Sequence, residues 1–159
     1  LLVDPYNSLT QDNEMVGQLG GHQYDYLATT EMRMFCKKEK VTIWLNTHAN
    51  TAALRYKHPI GHEYVGHPIP PLASDVEGGG KFVNRADDFV VIHRYVQHPT
   101  EWMISHLHVR KVKEVETGGR PTPIDSPIKL RSIVNNVGFT IDNNSILKTE
   151  LTDPKNVPF

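Results

Sequence analysis

The sequence predicts an α/β protein whose sheet starts with parallel strands and ends in antiparallel ones. A strand, a helix and a second strand follow one another between Leu1 and Leu45, an order that is typical of a parallel sheet. The second strand, Val41–Leu45, shows little alternation of apolar and polar residues, as expected where both faces of a strand are covered. We expect Val41–Leu45 and Phe89–Ile92 to be adjacent parallel strands beside Leu1–Val3. The later apolar segments succeed one another like hairpins, which favours an antiparallel edge.

Each element is predicted from a local pattern. Pro5 ends the first strand because proline cannot donate to a strand ladder, and apolar residues at helical spacing indicate the first helix. In chain order we predict a strand at Leu1–Val3, a surface loop at Asn7–His22, a helix from about Tyr24 to Lys40, a strand at Val41–Leu45, a long loop at Asn50–Asp75, a short helix at Lys81–Ala86, and strands at Phe89–Ile92, about Trp102–Val112, Ile128–Val134 and Phe139–Ile141. Residues 1–150 are predicted to form one domain and residues 151–159 a tail.

Composition excludes a disordered chain and a membrane protein. Hydrophobic residues make up 38% of the chain and charged residues 22%, and no apolar run approaches the roughly 20 residues of a membrane span. The first residues lack the pattern of a signal peptide, and the single cysteine, Cys36, cannot form an internal disulfide. A reducing, cytoplasmic compartment is therefore expected. Because the net charge is -1, any nucleic-acid binding must come from a local basic cluster.

Two predicted strands end in residues that suit phosphate or metal chemistry. Leu1–Val3 carries a single carboxylate, Asp4, at its tip, which is the form of a Walker B element. Val41–Leu45 leads through two polar residues to His48. Ligands of open parallel sheets bind at the carboxyl ends of the strands, so we expect Asp4 and His48 at one edge of the sheet. Taken singly, each is more typical of a polar residue that ends a strand.

The order of five motifs resembles that in the ATPase core of the DnaB, Twinkle and phage primase-helicase group. The motifs are Asp4, the helix before Lys40, the strand ending in Thr47-His48-Ala49-Asn50, the glycine-rich run Ser74–Asp87 with the following Ile92-His93-Arg94, and the basic strand Val109–Lys113 ahead of Thr117-Gly118-Gly119. The resemblance covers about residues 1–135. It implies a RecA-like partial core of the P-loop NTPase type, with a mainly parallel sheet flanked by helices and antiparallel strands at the C-terminal edge.

The resemblance implies roles for particular residues. Asp4 matches the aspartate that holds Mg²⁺ through water, and His48 matches the residue that senses the γ-phosphate of ATP; phage-type members carry histidine there and others glutamine. Asn50, Arg55 and Lys57 match a segment that faces single-stranded DNA in a central channel. The loop that carries these residues contains several prolines, which disfavour helix and sheet. We therefore expect this loop to be mobile without DNA.

A basic pair near the C-terminal end of the region of resemblance matches family residues that reach across a subunit boundary to a neighbour's nucleotide. The pair is Lys111 and Lys113, which we expect to face solvent in a lone subunit. The family pattern is Lys-x-Arg, and a lysine lacks the planar fork of a guanidinium. Arg110 is therefore a possible substitute for Lys113 as the residue acting in trans.

The phosphate-binding loop of such enzymes is absent from the 159 residues. No G-x-x-x-x-G-K-[ST] motif occurs, and Gly78-Gly79-Gly80-Lys81 lacks both the spacing and the hydroxyl residue. We therefore expect a helicase core cut before Asp4, with little ATPase activity of its own. For the full protein the resemblance implies ATP and Mg²⁺ as cofactors, single-stranded DNA as partner, duplex unwinding, self-association into a hexameric ring and a place in the bacterial cytoplasm, encoded by host or phage.

Other functions stay open at this stage. A recombinase or packaging ATPase would share Asp4 and a parallel sheet, and a non-catalytic assembly module would need no phosphate loop. Nine histidines also allow a metal-binding module, since His58, His62 and His67 lie in one loop, although His62 and His67 are one residue too far apart for H-E-x-x-H. A nucleophilic hydrolase is disfavoured because the chain has no G-x-S-x-G.

Overall fold

A computed structural model describes residues 1–133 and 138–146. The end of the predicted strand at Ile128–Val134 and the predicted tail at 151–159 lie outside the described residues. The elements are β1 (Leu2–Val3), α1 (Asn13–Leu19), α2 (Gly21–Glu39), β2 (Trp44–Leu45), α3 (Gly80–Arg85), β3 (Asp88–Arg94), β4 (Ile104–Val112), α4 (Val115–Gly118), β5 (Ile128–Ser132), β6 (Phe139–Ile141) and β7 (Asn144–Ser145), with 3₁₀ turns at Tyr6–Ser8, Ala53–Arg55 and Ala73–Asp75.

The predicted fold class is wrong, because the larger sheet is antiparallel throughout. Its five strands lie in the order β3-β4-β5-β6-β7, and each pairs with the next along the chain. The parallel strand pairing in the described residues is confined to β1 and β2, where two residues of each strand pair. The chain is thus a mixed α/β protein with helices in its N-terminal part and an antiparallel sheet, and not a parallel RecA-like core.

The strand predicted as a parallel neighbour of β2 is the clearest error. Phe89–Ile92 lies within β3, which pairs antiparallel with β4 from Asp88 opposite Val112 to Arg94 opposite Ser105. The connection 95–103 between β3 and β4 is shorter than the crossover of about a dozen residues that a parallel connection needs. The two strands therefore form a hairpin.

The short strands β1 and β2 are not buried in the way their composition suggests. Only Trp44 and Leu45 of the predicted strand Val41–Leu45 are paired, and Trp44 is 63% exposed. Leu2 of β1 is 65% exposed. The apolar, β-branched composition correctly predicted strands at Leu2–Val3 and Trp44–Leu45, but residues 41–43 form no strand and the inference that both faces are covered was wrong.

The helices follow the local sequence signals. α2 confirms the predicted helix and begins three residues earlier, at Gly21. The predicted surface loop Asn7–His22 is wrong over Asn13–Leu19, which forms α1. Asp12 caps this helix, since its Oδ1 accepts a hydrogen bond of 3.0 Å from the backbone N–H of Met15. The helix was missed because glycines in the segment were taken to indicate a loop, although Asp12 could have been recognised as its N-terminal cap.

A buried polar network holds the N-terminal half together. The carboxylate of Asp25 on α2 accepts hydrogen bonds from the Tyr6 hydroxyl at 2.8 Å and from the Lys81 ammonium on α3 at 2.6 Å. The amide of Gln11 adds a third at 3.0 Å. Phe82 packs its ring edgewise on Tyr6, with 5.2 Å between the ring centroids. Polar and apolar contacts therefore converge where the 3₁₀ turn after β1 meets α2 and α3.

The described helices are all too short or too polar to cross a membrane. The longest of them, α2, carries several charged residues and contributes to the internal network through Asp25. Its remaining surface includes exposed lysines at the C-terminal end, where cations interact favourably with the helix dipole.

Replacing Asp25 by alanine should destabilise the protein strongly. The variant leaves the Lys81 ammonium, whose side chain is 5% exposed, without its carboxylate, and such losses cost about 3–5 kcal/mol. Urea unfolding measures this free energy. The control is Asp87→Ala, which breaks surface pairs with Arg33 and Lys113 and should cost less than about 2 kcal/mol. Equal effects of the two substitutions would contradict the role given to Asp25.

Candidate functional site

The carboxyl end of the parallel pair brings the two predicted strand-end residues to one side of the molecule. The ladder continues beyond β1 and β2, because the backbone N–H of Tyr6 donates to the Asn46 carbonyl at 2.8 Å. Asp4 directly follows β1 and is exposed. His48 follows β2 and is also exposed. Both side chains are therefore accessible at the same end of this two-stranded sheet.

Asn7 connects the two strand ends to the glycine-rich segment. Its Oδ1 accepts hydrogen bonds from the Thr47 hydroxyl at 2.8 Å and from the backbone N–H of His48 at 3.4 Å. Its Nδ2 donates to Glu77 Oε2 at 2.7 Å. The backbone N–H of Glu77 in turn donates to the His48 carbonyl at 2.9 Å. His48 is thus held by its backbone, and its imidazole is left accessible.

The glycine-rich run is fixed beside this strand end. Gly78 has a φ of 91°, and a Cβ at this position would lie 2.7 Å from Phe82, so a larger residue would be both strained and obstructed. The run then leads directly into α3. Sequence reasoning selected the glycines but missed Asn7 and Glu77. The position of Glu77 directly before Gly78-Gly79-Gly80 is the signal that could have identified it.

A cleft of about 680 Å³ opens next to these residues. Its lining includes Asn7, Glu77, Gly78 and the buried pair Tyr6 and Asp25. Burial and the hydrogen bond to Asp25 raise the pKa of the Tyr6 hydroxyl, which therefore stays protonated as a donor. Asn7 and Glu77 contribute hydrogen-bonding groups to its lining, and the Asp25 carboxylate in the lining is already paired with Lys81.

The residues predicted to contact DNA lie on a segment that contains a 3₁₀ turn and internal hydrogen bonds. Asn50 accepts a hydrogen bond from the backbone N–H of Ala53 at 2.9 Å, which starts a 3₁₀ turn that ends at Arg55. Farther along, the backbone N–H of His58 donates to the His67 carbonyl at 2.9 Å. Arg55 and Lys57 are exposed. Their cationic groups are accordingly available to a ligand, whereas Asn50 is engaged internally.

The basic residues of β4 differ in their surroundings. Lys111 does not face solvent as predicted, because its ammonium donates to the carbonyls of Val83 and Ala86 at 2.7 and 2.8 Å. It therefore caps the C-terminal end of α3 and joins that helix to the sheet. Lys113 is more accessible and lies 3.1 Å from the carboxylate of Asp87. Lys111 is thus held by hydrogen bonds to two backbone carbonyls, whereas Lys113 lies at the surface.

A second group of side chains, the histidine–tyrosine cluster, covers one face of the antiparallel sheet. It consists of His58, His62, Tyr64, His67, His93, Tyr95, His98, His106 and His108. Tyr64 and Tyr95 stack with 3.9 Å between ring centroids, and His106 meets both rings edge-on. The Nε2 of His58 lies 2.9 Å from the Tyr95 hydroxyl. These ring contacts hold the segment after Lys57 against β3 and β4.

Two histidines of the cluster are almost completely buried. His106 is 1% exposed and His108 is 2% exposed. Within residues 1–133 and 138–146, both ring nitrogens of His108 and the Nε2 of His106 lack a hydrogen-bond partner. The Nε2 of His106 lies 3.9 Å from Glu101, which is beyond hydrogen-bond distance. An unsatisfied buried polar group costs about 1–3 kcal/mol, so this arrangement requires an explanation.

Burial keeps three histidines of the cluster, His93, His106 and His108, uncharged at neutral pH. Desolvation lowers the pKa of His93 to about 4 and that of His108 to about 4, with repulsion from neighbouring histidines and, for His108, from Arg110 adding to the effect. Desolvation also lowers the pKa of His106. Each of these imidazoles is therefore neutral at neutral pH and has one donor and one acceptor nitrogen.

The described residues do not support the metal-binding module considered from the sequence. Nowhere in that part of the chain do three histidine, cysteine or carboxylate side chains come together in a way that could hold a metal ion. His62 shows a physical reason, because its Nδ1 accepts a hydrogen bond from the backbone N–H of Tyr64 at 3.0 Å. His58 likewise contacts Tyr95. Ring stacking and internal hydrogen bonds explain the concentration of histidines in this loop.

Acidification should destabilise the protein through these buried histidines. Because His93 and His108 have folded-state pKa values of about 4, below the ordinary 6.5, the unfolded chain binds more protons between those values. Their contribution is complete above pH 6.5 and falls as the pH drops toward 4. We expect a loss of roughly 2–4 kcal/mol between about pH 7 and pH 5, measured by urea unfolding. His108→Leu should reduce this loss, whereas exposed His22→Leu should not; an unchanged dependence in His108→Leu would exclude His108 as its source.

Comparison with known proteins identified no family for this chain. A scan against protein-family models, a search of curated proteins and a search of solved structures each found no match to the chain. What either site does is therefore inferred from its own residues, contacts and charges.

Proposed function

We propose that this chain contributes part of the nucleotide site of an ATP-driven DNA helicase motor, with Asp4 holding Mg²⁺ through water and His48 sensing the γ-phosphate. The observation that carries the proposal is the position of both residues at the carboxyl end of the parallel pair β1–β2. The antiparallel sheet gives no support to this proposal. The order of the sequence motifs adds support, because Asp4, His48 and the glycine-rich run occur in the order found in DnaB-type helicases.

The surroundings of Asp4 suit a hydrated magnesium ion. Mg²⁺ in nucleotide sites keeps several waters and uses one or two carboxylates together with phosphate oxygens. Asp4 is exposed at a strand tip, and the residue that follows it, Pro5, leads into the turn anchored by Tyr6. The carboxylate is thereby held on a fixed segment without being buried, as an ion that retains its waters requires.

His48 is placed to transmit a signal from a bound phosphate. Its backbone N–H and carbonyl are hydrogen-bonded to Asn7 and Glu77 respectively. The next residue, Ala49, forms a β-bridge with Val76, directly before Glu77 and the glycine-rich run. A displacement of His48 therefore moves the start of the segment 50–75, which carries Arg55 and Lys57. This path would couple the nucleotide to the proposed DNA contact.

The remaining components must come from outside these residues. Because the 159 residues contain no phosphate loop, the proposal requires one from another segment or subunit to hold the β- and γ-phosphates. The proposed assembly is a hexameric ring. In it, a neighbouring subunit would supply a cation to the transferring phosphoryl group. Lys113 suits that role better than Lys111, since the Lys111 ammonium already caps α3. Arg110 remains the alternative residue on this strand.

Substitutions at Asp4 and His48 test the proposed nucleotide site. In the whole protein, Asp4→Asn should lower DNA-stimulated ATP turnover by at least about tenfold, because the amide removes the charge that attracts hydrated Mg²⁺. His48→Ala should have a similar effect, whereas His48→Gln, which keeps a hydrogen-bonding side chain, should retain most of the turnover. Steady-state ATP hydrolysis and duplex unwinding are the measurements.

Glu31→Gln is the matched control, since it removes one exposed carboxylate from the surface of α2. It should leave turnover unchanged. Normal turnover in Asp4→Asn would show that Asp4 only ends the strand. A whole protein that hydrolyses no ATP, with or without single-stranded DNA, would overturn the proposed motor function.

The salt dependence of DNA binding tests Arg55 and Lys57 separately. If both contact phosphates, the double variant Arg55→Ala/Lys57→Ala should bind single-stranded DNA more weakly and lower the salt slope by about 0.7 for each lost contact. Fluorescence anisotropy with a labelled oligonucleotide over a range of salt concentrations gives the slope. Lys37→Ala/Lys38→Ala removes two exposed lysines from α2 and should leave it unchanged. The same slope in both double variants would place DNA elsewhere on the surface.

A further inference from the structure

The face of the antiparallel sheet opposite the histidine–tyrosine cluster carries apolar side chains on four of its strands. Successive side chains of a strand point to opposite faces, and residues in register on neighbouring strands share a face. Ile92 of β3 lies opposite Leu107 of β4, which in turn lies opposite Ile128 of β5. Val90 lies opposite Val109. This surface, the apolar face, consists of Val90, Ile92, Leu107, Val109, Ile128, Leu130, Phe139 and Ile141.

The two faces of the sheet are covered in the reverse of the usual way. An antiparallel sheet with one solvated face normally turns its apolar side chains inward and its polar side chains to water. Here His106 and His108 on the cluster face are 1% and 2% exposed, whereas Ile92 on the apolar face is 72% exposed. Ile128 and Ile141 are exposed as well. A contiguous apolar patch at the surface is typical of an interaction site.

The helices leave the centre of the apolar face open. α3 reaches β4 at Lys111, near the end of the strand. In the described part of the chain, no helix packs across the middle of the face. The buried apolar cluster lies in the N-terminal half instead, around Tyr6, Val76 and Phe82. The apolar face is therefore accessible to a partner.

The charges at the two ends of β3 favour a second copy of this chain as that partner. Asp88 and Arg94 share the face with Val90 and Ile92, and they lie at opposite ends of the strand. Both are exposed, and among the described residues neither forms an ion pair. A half-turn about an axis that crosses β3 near Val91 would place Asp88 of each copy over Arg94 of the other. A surface that is complementary to itself in this way suits an isologous dimer.

We propose that two copies of this chain pair through the apolar face, with their sheets stacked and Asp88 of each copy beside Arg94 of the other. The Arg94 guanidinium is already positioned, because it donates to the Trp102 carbonyl at 2.7 Å. Stacked sheets lie about 10 Å apart, so the apolar side chains of the two copies interdigitate.

The size of the face determines how strong this pairing is. From the spacing of strands and the rise per residue, the five-stranded face spans on the order of 400 Å² in each copy. This is about half of what a standard interface buries per partner, so we expect a reversible dimer with a Kd on the order of 10 µM. An isologous contact differs from the head-to-tail contacts of a ring. The inference therefore does not depend on the proposed motor.

Sedimentation velocity of the 159-residue chain tests the pairing. Between about 1 and about 200 µM, a range that brackets the expected Kd, the mean mass should rise from monomer to dimer. Ile92→Glu should weaken dimerisation at least about tenfold, because it places carboxylates against the apolar surface of the other copy. The matched control is Ile60→Glu, which changes an isoleucine that is 97% exposed and lies outside the sheet, and it should dimerise normally.

Exchanging the charges of β3 tests the twofold arrangement. Asp88→Arg alone and Arg94→Asp alone should each weaken the dimer about fivefold, because like charges then meet at both ends of the interface. The double variant Asp88→Arg/Arg94→Asp should restore most of the affinity, since opposite charges meet again. A double variant that pairs no more tightly than either single variant would exclude this arrangement.

A measurement on the unsubstituted protein removes any dependence on folding of the variants. The methyl resonances of Ile92 and Ile128 should shift as the protein concentration rises, and those of Ile60 should stay in place. A chain that stays monomeric up to about 200 µM, well above the expected Kd, would overturn the inference. Equal dimerisation of a folded Ile92→Glu would do the same. None of these measurements involves ATP, so a dimer without ATP turnover removes only the proposed motor.

Discussion

The buried carboxylate of Asp25 is the interaction on which the N-terminal half depends. It accepts hydrogen bonds from Tyr6, Gln11 and Lys81, which come from three different segments of the chain. Desolvating a charged pair is costly, and the short contacts and additional donors around Asp25 offset that cost. Since Tyr6 follows Asp4-Pro5 and Lys81 follows the glycine-rich run, this one carboxylate connects the segment after β1 to the segment after the glycine-rich run.

The side chains of strand β4 alternate between its two faces, so one face contacts α3 and the other contributes to the histidine–tyrosine cluster. His106, His108 and Arg110 lie on the face of the cluster. Lys111 lies on the opposite face and holds the C-terminal end of α3 through two carbonyls. A displacement of α3 would therefore have to break these bonds or move β4. Lys111 thus connects α3, which follows the glycine-rich segment, directly to β4.

Much of the secondary structure was predictable, because it depends on local patterns. Apolar spacing identified α2, and the β-branched runs identified β3 and the strand Phe139–Ile141. α1 was missed although Asp12 is a clear cap, since glycines in the segment were taken to indicate a loop. The partner of β3 was mispredicted because an apolar run does not specify which strand will pair with it, whereas the hairpin-like succession of the later strands is confirmed. The short connection 95–103 was the available signal that β3 and β4 form a hairpin.

The sequence by itself determined α2, α3, most strands, the position of Asp4 and His48 after strands and the glycine-rich run between segments. Only the tertiary structure decided that the main sheet is antiparallel, that Asn7 and Glu77 join the two strand ends and that Lys111 is engaged in capping a helix. It alone also assembled the histidine–tyrosine cluster. The physical reason is the same in each case: backbone conformation follows from neighbouring residues, whereas burial, ion pairing and cavities arise from contacts between residues far apart in the chain.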